Sequence, residues 1–252
     1  MNWLFPMAGY GTRTSSLGEY KPFIEVLPNF SILKICLLGL KSQISPNDTL
    51  VFISTEEQDS NYGVKENVDK IATEIGINNH NVVLIKKTPP GQALTVRHGV
   101  FRFLAQDLTR DNINKIKDTT IIVNPDQCVL FDINDVTAPS VGLYFNTGIK
   151  SCFFNIDIKE KKIKEIKEKD QISSYASAGL FVFPNINELV NAIYWGEKQE
   201  RTHDGELHLG PCMEYFSDLT YFKTDMKFDL GNIDQVTRFA KIIQGVINDN
   251  SS

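Results

Sequence analysis

The sequence predicts an α/β protein: a mainly parallel mixed sheet flanked by helices, with a small antiparallel hairpin region. Three observations carry this. Apolar runs of strand length recur along the chain, several with helical patterns between them, and such alternation favours a parallel sheet with helices on both faces. From Cys152 onward the pattern changes to strand, polar turn, strand. The chain of 252 residues, 42% hydrophobic and 23% charged, is large enough to bury a sizeable core.

The strands are expected at Trp3–Pro6, Thr49–Ser54, Val82–Lys86, Thr119–Val123, Val141–Phe145 and Leu180–Phe183. The stretch "SILKICLLGLKS", Ser31 to Ser42, has helical spacing and a serine at its start, a residue that caps helix N-termini. Further helices are expected at Lys65–Ile75, Ala93–Leu104, Asn187–Trp195, Gly210–Phe216 and Ile233–Ile247. The lysine-rich "CFFNIDIKEKKIKEIKEK" reads as a hairpin with a solvated face. One unit spanning 1–248 is expected.

Net charge is −5, so nothing points to nucleic acid or to a membrane surface. No apolar stretch approaches the roughly 20 residues of a membrane span. Cys36, Cys128, Cys152 and Cys212 lie far apart without CxxC spacing, which fits reduced core residues in a cytoplasmic protein. The N-terminus does not read as a signal peptide.

Directly behind the first strand comes "MAGYGTR", Met7 to Arg13. Glycines let a backbone approach a ligand closely, and successive amides can face phosphate oxygens. A third glycine for a dinucleotide fingerprint is missing, as is the Gly-Lys-Ser/Thr of a P-loop. On these residues alone the loop is equally a tight turn.

The following "TSSLGEYKPFIEV" places Lys21-Pro22 eight residues after Arg13. Together these segments resemble the signature of the sugar-phosphate nucleotidylyltransferases, the family that makes nucleotide sugars. It includes glucose-1-phosphate thymidylyltransferases and related small cytidylyltransferases. The resemblance continues in order along nearly the whole chain. "PPGQALTV" looks like the base-reading segment, and "IIVNPDQ" like the strand ending in a metal-binding aspartate. "IKEKDQISSYASAGLFVF" looks like the Glu-Lys acceptor motif and the strand after it. "GELHLGP" and "FDLGNIDQV" resemble two later family segments. Tyr20 stands where many members have proline, and Asn124-Pro125 replaces the more usual glycine.

The resemblance implies a Rossmann-like fold of the nucleotide-diphospho-sugar transferase type, with a nucleotide-binding half over about 1–127 and an acceptor-binding half over about 128–248. It implies transfer of a nucleoside monophosphate from an NTP to a small phosphorylated acceptor, with release of pyrophosphate. Ala8, Gly9, Gly11, Thr12 and Gln92 would bind the nucleotide. Arg13 would grip the β- and γ-phosphates with its fork of donors, and Lys21 would serve the α-phosphorus. Asp126 and Asp229 would hold Mg2+, which prefers oxygen ligands and commonly takes one or two carboxylates. Lys169 would meet the acceptor phosphate, and Glu168 and Gly179 the rest of the acceptor. A sugar 1-phosphate used in surface polysaccharide synthesis is the expected substrate. A second, acetyltransferase activity is not expected.

Alternatives are a cytidylyltransferase acting on phosphocholine or a phosphorylated amino-acid derivative, a glycosyltransferase of related fold, and a nucleotide-sensing module. The strand end "NPDQ" lacks the Asp–x–Asp step of such glycosyltransferases. His203, Asp204, Glu206 and His208 lie close in sequence, but their spacing is not that of a facing histidine pair, and they read as a polar loop near the acceptor.

Overall fold

Strands form where the apolar runs predict them. The computed structural model describes residues 1–9, 19–106, 116–146 and 151–249. Its strands are β1 Asn2–Pro6, β2 Glu25–Leu27, β3 Phe30–Ser31, β4 Thr49–Thr55, β5 His80–Ile85, β6 Thr120–Val123, β7 Gln127–Leu130, β8 Ser140–Phe145, β9 Cys152–Asp157, β10 Lys162–Glu168, β11 Tyr175–Phe183, β12 Thr202–His203, β13 Glu206–Leu207, β14 Thr220–Lys223 and β15 Met226–Asp229. The helices are α1 Ile32–Leu40, α2 Glu56–Tyr62, α3 Val64–Glu74, α4 Gln92–Gln106, α5 Ile186–Lys198, α6 Leu209–Cys212 and α7 Ile233–Asp249.

The large sheet has nine strands in the order β5-β4-β1-β6-β11-β8-β14-β10-β9. The first four are parallel. Beyond them the expectation of a mainly parallel sheet fails. β11 runs antiparallel to β6, β8 and β9, and β10 antiparallel to β14 and β9, while only β14 on β8 is parallel. The sheet is mixed. The physical reason lies in the connections: parallel neighbours need a long crossover, and the strand–helix alternation that supplies one stops after β6. The pairing of β9 with β11, through Phe153 and Ala176, closes β11, β8, β14, β10 and β9 into a five-stranded ring.

Side chains alternate between two cores, as the period of a strand requires. Trp3, Phe5, Leu50 and Phe52 face the side covered by α1 and α3. Leu4, Val51 and Ile53 face the side covered by α4 and α5. A third cluster bears directly on the site. Ile24 and Val26, just after Lys21, pack with Leu230, just after Asp229, and with Phe239 of α7. The last helix thus clamps two candidate site segments together. Ser31 caps α1 by accepting the N–H of Lys34. The expected helix at Gly210–Phe216 is instead the short α6 followed by a 3-10 turn, Met213–Tyr215.

Candidate functional site

The carboxyl end of β1 opens into a cleft of about 650 Å³. Ligands in open α/β sheets bind at this end of the strands. Its wall includes Gly9, Lys21, Gln92, Asn124, Asp126 and Asp204.

The glycine turn is held by its carbonyls. The Tyr20 hydroxyl donates to the Met7 carbonyl at 2.6 Å, Thr88 Oγ1 to that of Ala8 at 2.7 Å, and Gln58 Nε2 to that of Gly9 at 3.0 Å. A peptide plane carries its N–H on the edge opposite its C=O. The N–H groups of Ala8 and Gly9 therefore face away from the Tyr20 and Thr88 anchors. A Cβ on Gly9 would meet no atom of the described residues within 4 Å. Ala8 is buried beneath the turn. Gly11, Thr12 and Arg13 lie outside the described residues.

Tyr20, the departure from the family pattern, is a structural anchor. It is buried, stacks on Tyr62, and meets Phe23 edge-on. Burial pushes its phenol well above the ordinary range, so it stays a neutral donor. The next residue, Lys21, opens a 3-10 turn, Lys21–Phe23. From there Lys21 Nζ reaches Asp126 Oδ2 at 2.5 Å, across 105 residues of chain. These two predicted site residues are in direct contact.

Gln92 starts α4 and donates through Nε2 to Asn124 Oδ1 at 2.5 Å. Asn124, which sequence reasoning treated only as a departure, thus becomes part of the site. Two prolines and Gly91 precede Gln92 and form a strap across the cleft. The Leu207 N–H, in β13, donates to the Pro90 carbonyl at 3.2 Å. Gly91 has φ +103°, and a Cβ there would lie 2.4 Å from the Leu207 carbonyl oxygen. The strap is pressed against the backbone of the hairpin bearing Asp204 and Glu206.

Asp229 ends β15, which pairs antiparallel with β7, Asp229 opposite Gln127. The N–H of Leu230 donates to the Asp126 carbonyl at 2.8 Å, so the two aspartates sit on adjoining segments. Asp229 does not line the cleft as Asp126 does. Its Oδ1 lies 2.7 Å from Lys227 Nζ, a partner that sequence reasoning missed. The only early signal was a lysine two residues before the aspartate, which alternation puts on the same face. Each carboxylate therefore has one oxygen on a lysine. Carboxylate oxygens are the donors Mg2+ selects, so the donor chemistry of the two aspartates fits the ion. Among the described residues no group of three or more His, Cys, Asp or Glu side chains could hold a metal by itself, and the histidines of "HDGELH" form none.

Lys169 directly follows β10. It has φ +58°, a conformation rare for a side-chain-bearing residue, and its N–H donates to the Ser151 carbonyl at 2.8 Å. Its Nζ is 3.2 Å from Asp204 Oδ2 on the cleft wall. Glu168 sits opposite Cys152 in the β9–β10 pair. A Cβ built on Gly210 would lie 2.3 Å from Cys152 Sγ and 3.8 Å from Glu168 Oε2, so thiol and carboxylate share one small space. Burial, then the Glu168 charge, pushes the Cys152 thiol well up, and burial takes Cys212 to about 12. Both are inert thiols rather than nucleophiles. Gly179 is not on the cleft. Its φ is +69°, and a Cβ would strike the buried Gln127 side chain at 2.6 Å, so packing in the sheet explains this glycine.

The fold is shared with solved structures of nucleotide-sugar pyrophosphorylases and of an inositol-1-phosphate CTP transferase. The chain matches a nucleoside-diphosphate-sugar pyrophosphorylase from Vibrio cholerae with a TM-score of 0.80 at 20% identity, over 95% of this chain and 99% of that one. It matches a UDP-glucose pyrophosphorylase in complex with UDP-glucose with a TM-score of 0.68 at 13% identity, over 97% and 98%. It also matches the inositol-1-phosphate CTP transferase of T. maritima with a TM-score of 0.67 at 14% identity, over 96% and 94%. At these identities the likeness is one of fold. No protein-family model matches the sequence, and no curated protein matches it. No described helix is long and apolar enough to cross a membrane.

Proposed function

We propose that the protein is a nucleotidylyltransferase that joins the phosphate of a small acceptor to the α-phosphorus of an NTP and expels pyrophosphate. The observation that carries this reading is the contact of Lys21 with Asp126 in a cleft bounded by the glycine turn and the Pro89–Gly91 strap. Both reactants are polyanions, so the site must offset repulsion and stabilise charge growing on the leaving group. An acceptor phosphate is already an anionic nucleophile at neutral pH, so positioning and charge neutralisation suffice.

In this reading the turn's amides face the triphosphate and Arg13 grips the leaving pyrophosphate. Lys21 turns from Asp126 to the α-phosphate as the nucleotide enters. Gln92, oriented by Asn124, meets the base. Lys169 meets the acceptor phosphate and Glu168 an acceptor hydroxyl or amine. Asp126 and Asp229 would hold Mg2+ through carboxylate oxygens. When bound, the ion offsets phosphate charge and fixes the geometry of attack.

A sugar 1-phosphate acceptor, activated for polysaccharide synthesis, is the first reading of the substrate. The fold's occurrence in a sugar pyrophosphorylase supports it. A second reading has its own observation. Asp204 and Glu206 line the cleft where Lys169 reaches it, and such carboxylates suit an acceptor with an ammonium group. Phosphocholine or a phosphorylated amino-acid derivative, activated with CTP, has that chemistry. Pyrophosphate release from five NTPs, each paired with sugar 1-phosphates, phosphocholine and phosphorylated amino-acid derivatives, tests both. Release that depends on one acceptor selects between them, and release with none rejects the reading.

A further inference from the structure

Lys227 is not needed as a phosphate ligand in the chemistry above, yet its setting is unusual. Its side chain is 5% exposed, on the strand that delivers Asp229. Nζ lies 2.7 Å from Asp229 Oδ1 and 4.0 Å from the centroid of the Tyr144 ring. The ammonium is enclosed between a carboxylate and an aromatic face, both of which favour a cation. A buried charge that loses its partner is strongly disfavoured, so Lys227 cannot leave Asp229 without stranding itself.

Lys21 holds Asp126 in another manner. It comes from a separate element, and it stands on the cleft wall with room to turn toward an entering phosphate. One lysine is placed to exchange its partner and the other is not. Together Lys21 and Lys227 balance the charges of Asp126 and Asp229.

We propose that Lys227 is a positioning residue: a fixed internal counter-ion that occupies one oxygen of Asp229. The nucleotide-free cleft then holds a divalent ion weakly, and the ion enters with the nucleotide. This rests on the reading of Asp126 and Asp229 as ligands of the ion. The physical basis is simple. An ion on the second oxygen of Asp229 lies within a few ångströms of the ammonium, where like charges repel even at the effective dielectric of a protein surface.

The test is Mn2+ binding without nucleotide, followed by electron paramagnetic resonance, in the wild type and in Lys227→Met, Lys227→Gln and Lys227→Arg. Methionine keeps the apolar stem on the tyrosine ring. Glutamine keeps a donor for Asp229 without the charge, and serves if the methionine variant does not fold. Both neutral variants should bind Mn2+ at least about fivefold more tightly than the wild type, and the arginine variant within about twofold of it. Neutral variants with wild-type melting that bind Mn2+ no more tightly overturn the proposal. Asp126→Asn is titrated beside them. If it binds Mn2+ as the wild type does, the ion assignment in the proposed function falls, a result separate from the behaviour of Lys227.

Discussion

Replacing Gly91 by alanine tests whether the strap and the β12–β13 hairpin are one mechanical unit. The new Cβ would sit 2.4 Å from the carbonyl oxygen, 2.5 Å from the nitrogen and 2.9 Å from the carbonyl carbon of Leu207. All three are backbone atoms, so no side chain can swing away. The φ of +103° adds strain for any residue with a Cβ, of order 1–3 kcal/mol. Overpacking typically costs a further 1–3 kcal/mol or so. Separating strap from hairpin would also lose the Leu207 N–H to Pro90 bond, worth about 1 kcal/mol. Strain and overpacking sum to roughly 2–6 kcal/mol if the structure does not yield; if the hairpin moves out, the lost hydrogen bond replaces the overpacking and the cost is about 2–4 kcal/mol. Because β12 and β13 form a separate two-stranded sheet, outward movement of the hairpin is the easier response. Gly91→Ala should therefore lose about 2–4 kcal/mol in urea unfolding, and KM for the acceptor should rise at least as much as that for the NTP. Stability within about 0.5 kcal/mol of the wild type, with both KM values unchanged, would refute the coupling.

Arg13→Ala should lower turnover at least about a hundredfold, the scale of one lost transition-state donor, with little change in acceptor KM; steady-state kinetics with both substrates varied checks it, and a change confined to acceptor KM would show its role misassigned. Lys169→Ala should cost about 2–4 kcal/mol in transition-state stabilisation with the acceptor while leaving NTP binding intact. Lys162→Ala and Lys164→Ala should stay near wild type in the same assay, because their pairs with Asp218 and Asp157 are exposed surface contacts of little worth. Equal effects at Lys169 and Lys162 would put the acceptor elsewhere.

Several elements are legible in the sequence for definite reasons. β1, β4 and β6 are continuous apolar runs because both faces of the sheet are covered, and α1 carries both a helical stripe and its capping serine. The β9–β10 hairpin is legible from its polar turn. Helix α2 is not, because "EEQDSNY" has no apolar stripe. Its signal is the capping box of Thr55 and Gln58, a pattern of two residues three apart. The closed ring is illegible because it depends on non-local pairings of one register each, Lys162 with Thr220 and Ala176 with Phe153. The same holds for β7 and β15, four residues each, whose pairing brings Asp229 beside the segment of Asp126. Motif order in the sequence singled out both aspartates and Lys21 as candidates. It could not identify Asn124, Tyr20 or Lys227, whose parts depend on partners far along the chain or on burial.

The proposed reaction is transfer of the α-phosphorus of an NTP to an acceptor phosphate in the cleft of Lys21 and Asp126. Its most direct test supplies NTPs labelled at the α- or the γ-phosphate, with the acceptor panel and Mg2+, to the wild type and to Asp126→Asn. The α-label should appear in a diphosphate-linked conjugate of nucleoside and acceptor, the γ-label should leave only as pyrophosphate, and Asp126→Asn should stay folded yet form almost no conjugate. Label passing from the γ-position to the acceptor, or an Asp126→Asn protein as active as the wild type, would contradict it.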